Sequence, residues 1–272
     1  KDTVFEHKAL DDVSFEIKDG EFVGLIGHTG SGKSTLIQHL NGLMKPTSGK
    51  IFIDEDDINS KAVVKKTIRE RVGLVFQYPE HQLFEETVFK DVAYGPKNLG
   101  LDDNEIENRV RFALDMVKLD YNEIKNISPF DLSGGQKRRV AIAGVLAMKP
   151  RVLILDEPTA GLDPRGRDEI LGEIKELHEK NKITVILVSH SMEDIAKLVD
   201  KIIVMNKGKV AFIDKPSVIF KESLMLESIG LGVPQATKLA RELKKNGLDI
   251  GECLSVEDAK LQILKVLRSK SL

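Results

Sequence analysis

The sequence has one cysteine in 272 residues, Cys253. A lone thiol cannot close an internal disulfide or build a cysteine-rich zinc site, which fits a reducing, cytosolic setting. There is no run of roughly eighteen apolar residues, so no segment reads as a membrane-spanning helix. The opening residues, KDTVFEHKAL, lack the apolar core of a signal peptide. No initiating methionine is present, so further residues are expected upstream. Net charge is also scarce, at −2 from 41 basic and 43 acidic residues. Without an overall basic field, a dedicated nucleic-acid binder is a poor fit and no nucleic-acid partner is expected. The remaining composition, 41% hydrophobic and 31% charged, is that of an ordinary globular chain. Its length suits one large domain, or a domain plus an extension.

The apolar pattern alternates between two periods. DDVSFEI sets Val13, Phe15 and Ile17 between polar neighbours and reads as a half-buried strand. EFVGLIG, RVGLVFQ, RVLILDE and KITVILVSH are short, mostly apolar runs that read as buried strands. GKIFIDEDDI reads as a further strand, and DKIIVMNKGKVAFID as a hairpin turning near Lys207 and Gly208. Helical spacing appears in Leu36, Leu40 and Leu43, and again in Ile106, Val110, Ala113, Leu114 and Val117. Asp163 can cap a helix with Pro164 in its first turn, and Ile170, Leu171, Ile174, Leu177 and His178 lie on its inner face. Strands alternating with helices imply an α/β fold with a mostly parallel core sheet, and about 85–150 forms an inserted helical block. After Asp214 comes a helical tail. Ala236, Leu239, Ala240 and Leu243 form one stripe there, and Ser255 with Asp258 a capping box.

GHTGSGKST is the most specific stretch. Gly27, His28, Thr29, Gly30, Ser31, Gly32, Lys33, Ser34 and Thr35 satisfy G-x-x-x-x-G-K-[ST], with a buried strand before and a helix after. Glycines let successive N–H groups turn toward phosphate oxygens, and the helix N-terminus adds partial positive charge. Lys33 suits the β- and γ-phosphates of ATP, and the Ser34 hydroxyl suits Mg²⁺. The bare pattern arises by chance in roughly one chain of this length in a hundred, and its setting lowers that.

VLILDE ends a buried strand in two acids. Asp156 can hold Mg²⁺ through its water shell, and Glu157 can accept a proton from an attacking water. Taken alone, a solvated strand end is the plainer reading; Lys33 and Ser34 in the same chain reverse that. His190 and Gln77 each end a buried strand. His190 suits a γ-phosphate oxygen, and Gln77 suits the metal or the water.

A second glycine pair lies about a hundred residues downstream, in DLSGGQKRRV. Ser133, Gly134, Gly135 and Gln136 precede a helix whose packed face is drawn by Val140, Ala141, Ala143, Gly144, Ala147 and Met148. That makes a second anion site at a helix N-terminus. Two such loops in different parts of one chain suit two subunits placed head to tail. Each then lends its second loop to the γ-phosphate on the other's first loop.

These stretches together resemble the ABC-type ATPases. Gly27–Ser34 resembles their Walker A, Val152–Glu157 their Walker B with its glutamate, and Gln77 their Q-loop. Leu132–Gln136 resembles the signature motif, Ala160–Asp163 the D-loop with Asp163, and His190 the switch histidine. All six occur in the family's order over about residues 4–213. Two longer stretches, from Gly27 to Ile51 and from Val72 to Leu101, are most similar to the second-type ATPase of energy-coupling-factor transporters.

The resemblance implies a nucleotide-binding domain over 1–213 and a C-terminal helical extension over 214–272. It implies ATP as substrate, Mg²⁺ as cofactor, and a second ATPase subunit, a paralogue or another copy. A membrane-embedded T component is implied, docking on Tyr78–Val88, and a separate substrate-binding S component. The implied activity is ATP hydrolysis driving import of a vitamin or transition-metal ion, at the cytoplasmic face of the membrane. The extension would help pair the ATPases; packing on its own domain explains its apolar stripes equally well. A soluble ABC machine acting on nucleic acid or ribosomes and a conventional ABC transporter are the alternatives. The family also stacks an aromatic residue on adenine. Phe5 lies too close to the KALDDVSF segment for that part, so no stacking residue is assigned.

Overall fold

The computed structural model describes residues 8–60 and 65–270. Phe5 lies outside the described residues. The first half of the chain runs β1 (Phe22–Gly27), α1 (Lys33–Leu40), β2 (Phe52–Ile53), β3 (Asp56–Asp57), α2 (Lys65–Arg71) and β4 (Val72–Val75). Then come α3 (Val88–Leu99), α4 (Asp103–Met116), α5 (Tyr121–Ile124) and α6 (Gly134–Leu146). The second half runs β5 (Val152–Asp156), α7 (Pro164–Asn181), β6 (Thr184–Val188), α8 (Met192–Leu198), β7 (Lys201–Asn206) and β8 (Lys209–Asp214). The tail holds α9 (Pro216–Ile219), α10 (Ser223–Ser228), α11 (Gln235–Lys245) and α12 (Val256–Lys270).

Two compact units form. One holds the described residues up to Ile17, then Glu21–Lys33 and the chain from Leu187 onward. The other holds Lys18–Gly20 and the described part of Ser34–Ile186. The boundary falls within β6, after Ile186.

In the first unit β1 runs parallel to β7, from Val23 opposite Lys201 to Gly27 opposite Met205. Every residue of β1 is buried, as its unbroken apolar run requires. β7 turns back into antiparallel β8 through Lys207 and Gly208, with φ of 48° and 78°. Two left-handed residues in succession match the twist of a tight hairpin, as the sequence predicts. The tail belongs to this unit. Helix α9 packs on α8, β7 and β8. Helices α11 and α12 enclose a small core of Ala236, Ala240, Ile250, Cys253 and Ala259. Thr237 donates its hydroxyl to the Cys253 carbonyl at 2.7 Å, and Ser255 and Asp258 form the expected reciprocal cap.

In the second unit β4 runs parallel to β5, from Val72 opposite Val152 to Val75 opposite Leu155. Helices α3, α4 and α6 pack on one another, and α6 also packs on β4. That last contact is close. A Cβ added at Gly73 would lie 2.5 Å from Val145 Cγ1 and 3.1 Å from Pro150 Cγ. Asp163 caps α7 as expected, accepting from Gly166 N–H at 2.7 Å.

Four details of the sequence reading are corrected. Residues 11–17 keep the alternating exposure but form no ladder among the described residues; the period alone does not make a strand. GKIFIDEDDI is two short strands, because Asp54 turns the chain with φ 56°. Helix α1 ends at Leu40, so Leu43 lies beyond it and is exposed. Leu239 points away from the tail core, with 45% of its surface exposed.

Gly73→Ala is expected to lower stability by about 1–3 kcal/mol, because a strand backbone and a stiff valine must move apart. Gly144→Ala, in the interior of α6 with nothing near its missing Cβ, should be neutral or stabilising by up to about 1 kcal/mol. Urea denaturation of both variants checks this; equal effects would contradict the close approach of β4 and α6.

Candidate functional site

The Gly27–Lys33 loop is held from within the first unit. Gly27 sits where a side chain cannot: its added Cβ would be 2.4 Å from Ser31 Oγ and 2.6 Å from the Met205 carbonyl. Gly32 has φ 102°, and its added Cβ would meet the Ala9 carbonyl at 2.6 Å. Only glycine fits these close approaches and the positive φ of Gly30 and Gly32, and such a curled backbone is the kind whose successive N–H groups can cradle a phosphate. Gly208 N–H donates to the Ser31 carbonyl at 3.0 Å, and Asp11 N–H to the Gly208 carbonyl at 2.8 Å. The β7–β8 turn therefore buttresses the loop. His28 adds a further tie, with Nε2 3.1 Å from Asn206 Oδ1 and Nδ1 2.8 Å from the Thr29 carbonyl. Lys33 is buried and donates its ammonium to the carbonyls of Gly27 and His28. Ser34 and Thr35 open the helix beyond, with Ser34 exposed.

His190 follows β6 in this same unit. It is exposed, yet partial loss of solvent and then the charge of Lys33 hold its pKa below the ordinary imidazole value of 6.5. The two side chains thus sense one another electrostatically.

The second unit carries the acids. β4 and β5 end side by side, and Asp156 is the last residue of β5, next after Leu155, which stands opposite Val75. Gln77 lies two residues past Val75 and is exposed. Both chains then leave the strands through strained residues. Tyr78 has φ 54° and Glu157 has φ 50°. A left-handed backbone at such residues costs about 1–3 kcal/mol and persists only where the surroundings impose it. Ala160 N–H donates to the Glu157 carbonyl at 3.1 Å and closes the turn toward Asp163.

The signature segment starts α6. Ser133 accepts from Gln136 N–H at 3.3 Å, while Gln136 Oε1 receives Ser133 N–H at 3.1 Å and the Ser133 hydroxyl at 2.9 Å. This capping box leaves Ser133 and Gly134 exposed. Added Cβ atoms at Gly134 and Gly135 would meet nothing within 4 Å. The helix N-terminus therefore faces open space, where an anion can reach its N–H groups.

One residue here has no part in the sequence reading. Arg138 is 2% exposed and the largest fully buried side chain among the described residues. It occupies an apolar-stripe position, with Ile142 and Leu146 at four-residue intervals. That is the signal the sequence held, since a charge in an apolar stripe must find partners. The predicted stripe of α6 is corrected accordingly: Arg138, Val140, Ile142, Ala143 and Leu146 are its buried residues.

The expected metal donors are Ser34, Gln77 and Asp156, a hydroxyl, an amide and a single carboxylate. Hard oxygen donors of this kind suit Mg²⁺ with phosphate oxygens and water completing its shell.

Known proteins share this layout. A family model described as ABC transporter matches residues 10–160. The Clostridium tetani energy-coupling factor transporter ATP-binding protein EcfA2 is 61% identical over 272 residues, 100% of this chain and 94% of its own. The protein of the same name in Clostridioides difficile is 62% identical over 270 residues, 98% of this chain and 94% of its own. Among solved structures, cbiO1 of Clostridium perfringens, part of the ABC transporter complex cbiONQ, matches with TM-score 0.72 and 41% identity, covering 81% of this chain and 87% of its own. The ATP-binding cassette MJ0796, solved as a dimer in a post-hydrolysis state bound to ADP and Pi, matches with TM-score 0.67 and 33% identity, covering 76% of this chain and 90% of its own. The chain therefore belongs to the ABC transporter family, among the ATP-binding proteins of energy-coupling factor transporters.

Proposed function

We propose that this chain binds and hydrolyses ATP as one of two paired ATPase subunits of an energy-coupling factor importer. It works at the cytoplasmic face of the membrane, bound to a T component through the segment Tyr78–Val88, and with an S component that selects the cargo. The cargo is a vitamin or a transition-metal ion. The observation that carries this reading is the exposed start of α6. Its serine is capped and pre-oriented, and its glycines face open space. A second ATPase, a paralogue or another copy, is what can use that surface.

The chemistry follows from the donors. The Gly27–Thr35 loop holds the triphosphate through backbone N–H groups, and Lys33 exchanges its loop carbonyls for β- and γ-phosphate oxygens. Ser34, Gln77 and Asp156 would hold Mg²⁺, which when bound would draw charge from the phosphates. Glu157 takes a proton from water as its oxygen attacks the γ-phosphorus, and the bond to the β-phosphate oxygen breaks to leave ADP. His190, neutral near pH 7, presents its ring to the γ-phosphate. Ser133 and the backbone of Gly135 on the partner complete the cage, and Asp163 lies at the junction. ATP favours the closed pair by binding both faces, and hydrolysis removes that bridge. MJ0796 was solved as a dimer with ADP and Pi, which supports pairing as the working state.

Lys33→Ala should weaken ATP binding at least tenfold in a fluorescence titration, whereas Ser133→Arg should leave binding intact and abolish hydrolysis. Equal binding in both, with turnover preserved in Ser133→Arg, would refute the division of labour. Glu157→Gln should bind ATP, turn over at under a hundredth of the wild-type rate and accumulate as a closed pair by size exclusion; normal turnover refutes its role as base. The lowered pKa of His190 means that the native state favours the neutral ring. Its contribution to stability is complete above pH 6.5 and is lost as pH falls through the lower folded value. NMR titration should place His190 below 6.5 and Lys33→Ala should raise it; an unmoved value would exclude the coupling.

A further inference from the structure

Arg138 makes four hydrogen bonds from one side chain. Nε donates to Glu80 Oε2 at 3.0 Å and one terminal nitrogen to Glu80 Oε1 at 2.6 Å. The other terminal nitrogen donates to the carbonyls of Pro158 at 3.1 Å and Ala160 at 2.8 Å. Glu80 sits in the short 3-10 turn Pro79–Gln82, three residues after Gln77. Pro158 and Ala160 lie within the tight turn that begins at Glu157. Burial alone would push the Glu80 carboxyl upward, but the hydrogen bonds and charge of Arg138 outweigh it and hold the pKa below its ordinary value. The pair is therefore ionised, bidentate and largely removed from water.

Only a planar fork can do this. A guanidinium presents donors in fixed directions, so the carboxylate on one side and the two carbonyls on the other cannot shift independently. The arginine stands on α6, five residues after Ser133, so all three segments meet on one rigid group. Glu157 and Tyr78, each with positive φ, border the two turns that it holds. Such strained residues need outside restraint.

We propose that Arg138 is a positioning residue for hydrolysis, coupling the turn after Gln77 to the turn that carries Glu157. It touches no substrate atom. Through Glu80 it takes the position of the turn that follows the Q-loop, and through the two carbonyls it sets the backbone behind the base. Movement of the segment 78–88 is thereby passed to Glu157 and to the start of α6 together. This rests on the ATPase reading above.

The test uses the intact assembly of ATPases and membrane partners, with ATP and Mg²⁺. Arg138→Gln should lower kcat at least fivefold while the binding affinity for ATP stays within twofold, since its hydrogen bonds reach the turns at Glu80 and Glu157 and not the Gly27–Lys33 loop. A smaller fall in kcat, or an equal loss of affinity together with a lower melting temperature, overturns the proposal. Glu80→Gln should lower kcat at least threefold at unchanged affinity, and the double variant should be no worse than Arg138→Gln; multiplied effects would show that the two act separately. Should Arg138→Gln fail to fold, Glu80→Gln decides alone, and an unchanged kcat there overturns coupling. Arg138→Lys keeps the charge without the fork and should stay near Arg138→Gln; full recovery would contradict a geometric role. A wild-type assembly that binds ATP but never hydrolyses it sinks the functional reading and this inference with it. Wild-type hydrolysis with unaffected variants sinks this inference only.

Discussion

The negative charge of a triphosphate is met by donors that must point at it before it arrives, because reorganising them during reaction would cost rate. On the function proposed here those donors are mostly backbone N–H groups of the Gly27–Lys33 loop, which holds a conformation that ordinary residues avoid. Gly27 has no room for a Cβ, and Gly32 takes a φ of 102° against the Ala9 carbonyl. The loop is then pinned by the β7–β8 turn through Gly208 and by the contact between His28 and Asn206. A buried lysine held over its own loop carbonyls completes a cradle whose shape is fixed in advance.

The signature segment obeys the opposite logic. Gly134 and Gly135 have nothing near them in their own chain, and Ser133 is oriented by a cap but left exposed. One glycine pair is crowded and the other is open. Crowding marks a site finished within the subunit, and openness marks one awaiting another surface. Pairing of ATPases makes sense of both, and under the proposed function it links turnover to a change in assembly that membrane partners can follow.

Much of this was legible in the sequence, for identifiable reasons. The hairpin at Lys207 and Gly208, the Asp163 cap and the Ser255–Asp258 box are local chemistry, decided within four residues. The glycine-rich turn from β1 into α1 was legible because its pattern sets fixed residue types at fixed spacing between a strand and a helix. Non-local features were not. Alternating Val13, Phe15 and Ile17 did not make a strand, because a ladder depends on a neighbour that periodicity does not name. The strain at Glu157 and Tyr78 is invisible in letters that normally avoid positive φ. The burial of Arg138 was not legible, because its partners Glu80, Pro158 and Ala160 are distant in sequence. Its place in the stripe with Ile142 and Leu146 was the available sign. Burial of that charge is tolerable only because Glu80 and two carbonyls satisfy it.

The most direct measurement is the distance from Ser133 Oγ to the nearest γ-phosphate oxygen in an ATP-bound structure of the Glu157→Gln assembly. Completion of each site by a partner predicts a hydrogen bond, about 2.5–3.0 Å, to the nucleotide on the other subunit's phosphate loop. Ser133 facing solvent in every ATP-bound assembly, together with hydrolysis by the lone subunit at a concentration-independent specific rate, would contradict it.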